Sequence, residues 1–170
     1  MHAGRYGGEE VWNEPAFDAA GGGALSLFFS VPDYQGGLGL TARTTPDISY
    51  NAAVNGGVLV FWSAIPSQEG FYIIGGTSAG SPQWAAIFAL ANQAAGQDLG
   101  FVNPALYKLA ESKSNANDFH DITVGNNILT GSKIGFTAGP GYDFASGWGT
   151  PNVANFVQDL VSIAMAAGSH

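Results

Sequence analysis

Ser78 lies in a run of small residues that joins two apolar segments. The run, GGTSAGSP at residues 75–82, follows a segment typical of a buried strand and precedes one typical of a helix. A serine in the first turn of a helix lies beside backbone N–H groups that have no partner within the helix, and these can stabilise an oxyanion. Pro82 is tolerated in such a turn because no N–H is needed there. The run therefore indicates a nucleophile at Ser78, the alternative being a glycine-rich turn whose serine only caps a helix.

Five patterned segments would position that serine. Apolar runs bounded by turn residues predict two buried strands that pair through residues 63–70, while spacings of three and four predict the helices. The helix after Ser78 is apolar nearly all round, which is typical of a buried helix. Strands alternating with helices predict an α/β fold whose sheet is at least partly parallel. The segments are strands at 57–62 and 71–74, and helices at 78–95, 103–110 and 151–166.

Two of the helices carry start signals in the sequence. Asn103 is expected to cap the helix that Pro104 opens, and Thr150 is expected to cap the last helix, with Pro151 as its first residue. Between them, residues 111–150 show no long periodic segment and predict a loop region.

Asp121 and Asp143 bracket a long loop rich in glycine. Calcium takes six to eight oxygen ligands, and backbone carbonyls serve as well as carboxylates. Glycines free the backbone to turn carbonyls inward. On spacing alone, two aspartates 22 residues apart more often belong to a solvated loop than to a metal site.

The composition excludes several classes of protein. The 170 residues fit one domain, and 13 acidic against 5 basic residues leave a net charge of −8, which disfavours binding to a nucleic-acid backbone. No apolar run reaches the ~20 residues of a membrane span. The absence of cysteine excludes disulfides, thiolate metal sites and a cysteine nucleophile. A low charged fraction with an acidic balance favours a secreted protein or one from an acidic compartment.

The run around Ser78 resembles the nucleophile motif of subtilisin-like peptidases, which comprise the subtilisins and the sedolisins (serine-carboxyl peptidases). A subtilisin places a histidine base upstream of its serine. Here only His2 is upstream, in a glycine-rich terminus, while His120 and His170 follow, so a Ser-His-Asp triad has no credible histidine. The resemblance to sedolisins is wider, and its segments keep that family's order. They are VWN at 11–13 with GGG at 21–23, PDIS at 46–49, FVNPALY at 101–107, FHDIT at 119–123 with GNN at 125–127, GPGYD at 139–143 and GWGTP at 147–151.

The resemblance implies a subtilisin-like fold, a Ser78 nucleophile and a calcium ion as cofactor. The ligands it implies are the side chains of Asp121 and Asp143 and the carbonyls of Ile122, Gly139 and Gly141, within calcium loops at about 119–145. Clamping a loop with few apolar anchors would stabilise the fold rather than take part in catalysis.

The sedolisin mechanism, as the resemblance implies it, also needs a glutamate base, an aspartate that orients it and an oxyanion aspartate in an SGDSG-type segment. All three precede the VWN stretch in the family, and no SGDSG segment occurs here. Glu14 and Asp18 have the spacing of the base pair, but Pro15 and the glycines at 21–23 argue against a helix there. Asp47 is expected to be a turn or strand-end carboxylate after Pro46. The chain is therefore expected to be the C-terminal part of a catalytic domain, incomplete relative to the family's fold and inactive alone.

Three functions remain open. The first is an acid serine endopeptidase or tripeptidyl exopeptidase, acting on peptides or unfolded protein and represented by its C-terminal segment. The second is a non-catalytic subtilisin-like module that binds a peptide or partner. The third is an unrelated secreted binding domain. An incomplete sheet should expose apolar strands, which predicts association with the missing N-terminal part or with a second copy.

Overall fold

A computed structural model describes residues 6–112 and 115–167 of the chain. The helices in these residues are α1 (Thr77–Ala95), α2 (Asn103–Ala110), α3 (Asn115–Asp118) and α4 (Val153–Ala167). The strands are β1 (Asn13–Glu14), β2 (Ala19–Ala20), β3 (Ala24–Ser30), β4 (Ala42–Thr45), β5 (Val58–Trp62), β6 (Gly70–Ile74), β7 (Phe119–His120) and β8 (Thr150–Pro151). No helix in the described part of the chain combines the length and apolar character that crossing a membrane requires.

The core lies where α1 and α2 pack on α4. On α1, Trp84, Ile87 and Ala91 recur at spacings of three and four, so they share one face, and all three are buried. On α4, Phe156 and Leu160 are four apart and completely buried. The rings of Phe156 and Trp84 meet edge to face, with 5.3 Å between centroids. We call these three helices the helical layer. Ser78 is at the start of one of them, α1.

Only one face of α1 is covered, so the expectation of a helix buried all round is wrong. Ala85, Ala89 and Leu90 are exposed, with Leu90 at 51%. Among the described elements α4 packs against α1, and a single helix can cover only one stripe of its neighbour.

The strands form four separate pairs, all antiparallel in the described residues: β1 with β2, β3 with β4, β5 with β6, and β7 with β8. The expected partly parallel sheet is therefore not formed by these strands. Two backbone hydrogen bonds outside these pairs join residues 47–49 to residues 148–149. The N–H of Trp148 donates to the carbonyl of Asp47 and the N–H of Ser49 donates to the carbonyl of Gly149, each at 2.9 Å.

The β5–β6 hairpin confirms the predicted pairing through residues 63–70, in unbroken register from Val58 opposite Ile74 to Trp62 opposite Gly70. The expectation that both strands are buried is wrong. Leu59, Phe71 and Ile73 are 66%, 69% and 63% exposed. A two-stranded ribbon has two faces, and no third strand joins either of its edges within the described residues. β3 is exposed in the same way, with Leu27, Phe28 and Phe29 at 92%, 90% and 72%.

Two predicted helix starts are wrong. Asn103 is the first residue of α2 rather than its cap, because the carbonyl of Val102 accepts the first helical hydrogen bond, from the N–H of Leu106 at 2.9 Å. Thr150 and Pro151 belong to β8, paired with β7, and α4 begins two residues later at Val153. There the carbonyl of Asn152 accepts from the N–H of Phe156 at 2.8 Å.

Candidate functional site

Ser78 is the second residue of α1 and is exposed. Only Gly75 and Gly76 lie between the end of β6 and the start of α1, so the chain passes from strand to helix through a very short turn. No side chain in residues 6–112 or 115–167 hydrogen-bonds to its hydroxyl. The geometry leaves Ser78 accessible at a helix N-terminus, where the dipole and the free N–H groups favour developing negative charge.

Two glycines before the helix make this turn possible. Gly76 has φ +79, which side chains rarely adopt, and its N–H donates to the carbonyl of Ala52 at 2.7 Å. Gly75 lies so close to the next segment that an added Cβ would be 2.6 Å from the Cα of Val54 and 2.7 Å from the carbonyl oxygen of Ala53. The small residues seen in the sequence are therefore needed for close backbone approach.

A cavity of about 790 Å³ lies beside the start of α1. Its wall includes Thr77, Ser81 and Trp84 of that helix, together with residues 49–53 and the segment around Trp12. Ser78 is not part of this wall, although Thr77 is. The cavity and the nucleophile candidate are thus neighbours but not one site.

The sequence predicted that Glu14 and Asp18 do not lie on a helix, and in the structure they do not. Residues 15–17 make a single 3-10 turn, and Asp18 ends it in the left-handed conformation with φ 49. The Glu14 carboxylate instead accepts hydrogen bonds from the indole N–H of Trp12 at 2.7 Å and from the N–H groups of Val54 at 2.6 Å and Asn55 at 2.8 Å. The bond from Trp12, followed by the two backbone bonds, lowers the pKa of Glu14 below its ordinary value.

Asp47 lies in a bend two residues after the end of β4, as expected of a turn or strand-end carboxylate, and it forms the centre of a polar cluster. It pairs with Arg43 at 2.5 Å and accepts a hydrogen bond from the Tyr107 hydroxyl at 2.7 Å. Burial, reinforced by the hydrogen bond to Asp47, raises the pKa of Tyr107. With these partners Asp47 fixes α2 against β4 and is not available as a catalytic carboxylate.

Gln35 completes this cluster and was missed in the sequence. It is fully buried, and its amide donates to the Thr44 carbonyl at 3.0 Å and to the Tyr107 hydroxyl at 2.6 Å, while its carbonyl accepts from the Thr44 N–H at 3.0 Å. Nothing in the residues around Gln35 distinguishes it from a surface glutamine, so no sequence signal could have found it.

The five residues predicted to bind calcium meet in one group of loops. Asp121 accepts a hydrogen bond from the Gly141 N–H at 2.8 Å, and Asp143 accepts one from the Gly139 N–H at 2.9 Å. Ile122 joins them through its carbonyl, which lies 3.5 Å from the Ser146 hydroxyl. That hydroxyl also donates to Asp143 at 3.1 Å.

The donor set at these loops is chemically suited to calcium. Carboxylate and carbonyl oxygens are the hard ligands that calcium takes, and none of the five predicted residues would supply sulfur or imidazole. One oxygen of Asp121, Oδ1, accepts no hydrogen bond from any described residue, which leaves it free for a cation. The described residues contain no group of three or more Asp, Glu or His side chains placed to hold a metal, so carbonyls would have to supply much of the coordination.

Three comparisons with known proteins bear on this geometry. Kumamolisin of Bacillus sp. (strain MN-32) is 35% identical over 175 residues, covering 97% of this chain and 30% of that protein. Tripeptidyl-peptidase sed1 of Aspergillus fumigatus is 40% identical over 125 residues, covering 71% of this chain and 17% of that protein. The structure of Pseudomonas sedolisin complexed with two molecules of pseudo-iodotyrostatin matches with a TM-score of 0.79 and 31% identity, over 92% of this chain and 42% of that one.

The chain spans less than a third of the length of these curated relatives and less than half of the sedolisin chain in the solved structure. No family model matches it.

Proposed function

The chain belongs to the sedolisin family, and from that premise we propose that it is the nucleophile-bearing part of a serine-carboxyl peptidase, with Ser78 as the nucleophile. The observation that carries the proposal is the accessible Ser78 hydroxyl at the second residue of α1, directly after a turn that only glycines can form. Attack on a peptide carbonyl would place the oxyanion near the first-turn N–H groups of α1.

The proton of Ser78 needs a base, and the described residues offer none within hydrogen-bonding distance. Glu14 and Asp47, which the sequence disfavours as catalytic carboxylates, are held by other partners. A serine without a base is a weak nucleophile. We therefore propose that the glutamate, its aspartate and the oxyanion aspartate come from outside this sequence, and that the isolated 170-residue chain is inactive.

Peptide hydrolysis at pH 3–5 tests both parts of this proposal. Protein made from the full reading frame should cleave a peptide, and Ser78→Ala should lower kcat by a factor on the order of 10⁴ or more. Ser81→Ala, one turn further along α1, is the matched control and should stay active. Activity that survives Ser78→Ala would overturn the nucleophile assignment, and Ser78-dependent cleavage by the isolated chain would overturn the need for outside carboxylates.

We also propose a calcium ion held by the side chains of Asp121 and Asp143 and by the carbonyls of Ile122, Gly139 and Gly141. The hydrogen bonds that already draw both carboxylates onto the 139–143 loop support this. Such an ion would neutralise two carboxylates and clamp the loops that lead into β8 and α4. Its role would be to stabilise the fold.

The remaining expectations concern what completes the fold. The TM-score of 0.79 to the solved sedolisin structure supports the subtilisin-like, partly parallel sheet that the family resemblance implies for the whole protein. The exposed apolar side chains of β3, β5 and β6 support a partner surface, either the rest of the catalytic domain or a second copy. The net charge of −8 supports a secreted protein or one that works in an acidic compartment.

A second function is favoured by the same exposed strands. If no outside carboxylates complete the site, an accessible apolar hairpin beside an unassisted serine fits a module that binds a peptide or partner without cutting it. Binding of peptide by the full-length protein that persists unchanged, with no cleavage over the acid range, would support this alternative.

A further inference from the structure

We propose that Glu14 is a positioning residue for the nucleophile turn: its carboxylate, together with Trp12, fixes the 53–55 turn against which Gly75 and Gly76 are set. The inference rests on the proposed function only in taking Ser78 as the nucleophile. It concerns a carboxylate that lies outside the catalytic groups the family resemblance implies.

The first step is the grip of Glu14 on a distant turn. Its two carboxylate oxygens accept N–H groups from Val54 and Asn55, which lie 40 and 41 residues further along the chain, at 2.6 and 2.8 Å. The Trp12 indole donates to the same carboxylate at 2.7 Å and limits where it can lie. Bonds to an ionised acceptor are shorter and stronger than neutral ones, so β1 and the turn are tied at one point.

The second step is the contact of that turn with Gly75. There is no room even for a methyl group, since a Cβ on Gly75 would lie 2.6 to 2.8 Å from Val54 Cα, Ala53 O and Val54 N. Interiors packed this closely transmit small shifts directly. A displacement of the turn therefore displaces Gly75.

The third step is a second tie between the same two segments. The Gly76 N–H donates to the carbonyl of Ala52 at 2.7 Å, just before the turn. The Trp12 ring also approaches Gly76, with Cη2 at 4.0 Å from the position of an added Cβ. The turn that Glu14 holds and the Trp12 ring that binds Glu14 thus both contact Gly75 or Gly76, the two residues before Thr77. We call this set of contacts the Glu14 clamp. Because α1 starts at Thr77, the orientation of Gly75 and Gly76 sets where the Ser78 hydroxyl points.

The side chain at position 14 must be a carboxylate for this to work. A glutamine of the same length presents one oxygen and one NH₂ group, so one of the three donors would face another donor. Glu14→Gln is therefore a conservative change that weakens the clamp without altering size. Glu10→Gln is its control, because Glu10, like Glu14, lines the cavity beside α1 and makes no hydrogen bond to a described residue.

Amide hydrogen exchange followed by NMR on the 170-residue chain tests the proposal without needing peptidase activity. We expect Glu14→Gln to speed exchange of the Gly76 N–H by roughly tenfold and to shift the Trp12 indole N–H resonance, with no change at Phe156 or Leu160 of α4. Trp12→Phe, which removes one donor and keeps a ring, should produce a smaller change in the same direction. Glu10→Gln should change neither signal.

Two outcomes would overturn the proposal. In one, Val54 and Asn55 exchange faster in Glu14→Gln while Gly76 does not, so that the clamp ends at the turn. In the other, amides throughout the chain accelerate equally, so that Glu14 is only a general stabilising residue. In the full-length enzyme we expect Glu14→Gln to lower kcat with little change in KM. If Ser78 is not the nucleophile, the exchange result stands and the kinetic one fails, so the two proposals fail separately.

Discussion

The helical layer and the β5–β6 hairpin are built from similarly apolar residues and differ in what covers them. In the helical layer, Phe156 and Leu160 of α4 are wholly buried against α1. In the hairpin, Phe71 and Ile73 are 69% and 63% exposed although they pair regularly with β5. Apolar content therefore shows that a segment needs cover, and the packing partner decides whether it has it. The hairpin, like β3, therefore depends on a surface that the described residues do not supply.

Truncating one aromatic ring in each region should give the largest difference. We expect Phe156→Ala to lower the free energy of unfolding by about 3–5 kcal/mol, because it leaves a cavity among Trp84, Phe119 and the rest of the core. Phe71→Ala in the hairpin is the control and should change it by no more than about 0.5 kcal/mol. Urea denaturation measures both, and equal losses would show that the hairpin is packed in solution.

Removing calcium should destabilise the side of the molecule that includes the helical layer, because the proposed site lies in the loops that lead to α4. With calcium about a hundredfold above Kd, a chelator should lower Tm by on the order of 5–10 °C, and added calcium should restore it.

Asp121→Asn should remove this calcium response with little other effect, since Asp121 accepts only one backbone hydrogen bond, while Glu69→Gln at the hairpin should keep it. A melting temperature indifferent to chelator, with no metal found by elemental analysis, would contradict the site.

Acid should reduce the protection from hydrogen exchange at Gly76, where the chain leaves the hairpin, before it affects the helical layer. The folded-state pKa of Glu14 lies below its ordinary value of 4.5, so its contribution to stability is complete above that pH and is lost as the pH falls through the lower, folded-state value. We expect the Gly76 amide to exchange on the order of threefold to tenfold faster at a pH below the folded-state pKa of Glu14 than at a pH above 4.5. The comparison is made after correction for the intrinsic exchange rates. Protection of Gly76 that does not change with pH, in wild type and in Glu14→Gln alike, would contradict this.

The smallest effect on stability and the clearest on association should come from making the hairpin polar. Phe71→Thr should change the free energy of unfolding by less than about 0.5 kcal/mol and reduce self-association at tens of micromolar. Sedimentation velocity measures the association, and Phe101→Thr, which alters another exposed phenylalanine away from the hairpin, is the control. A wild-type chain that is monomeric at all concentrations would show that the hairpin does not bind a second copy.

The elements of this chain could be predicted where the signal is local. The periodicity around Trp84 and Phe156 predicted α1 and α4, and the bounded apolar runs predicted the β5–β6 pairing. The calcium ligands were predicted from two segments that resemble the calcium loops of the family. In the structure Asp121 and Asp143 each accept a hydrogen bond from the loop at residues 139–143. Whether they bind calcium stays a prediction.

What could not be predicted depends on residues far apart in the sequence. The side-chain amide of Asn103 donates to the carboxylate of Asp47, which lies 56 residues away. Gln35 is buried because Thr44 and Tyr107 satisfy its amide. A local pattern carries no information on such partners, since hydrogen bonds and cover are assigned only when the segments meet.

The sequence by itself determined that this is a sedolisin-like chain with a serine at a strand-to-helix turn, because residue type and order along the chain encode both. Only the tertiary structure decided that Glu14 is held by Trp12 and the 53–55 turn. It also decided that no described residue lies within hydrogen-bonding distance of the Ser78 hydroxyl to act as its base, and that the hairpin lies uncovered. The contacts of Glu14 with the turn join residues 40 and 41 apart, and the other two depend on which segments cover or approach a residue, so packing rather than local propensity sets them.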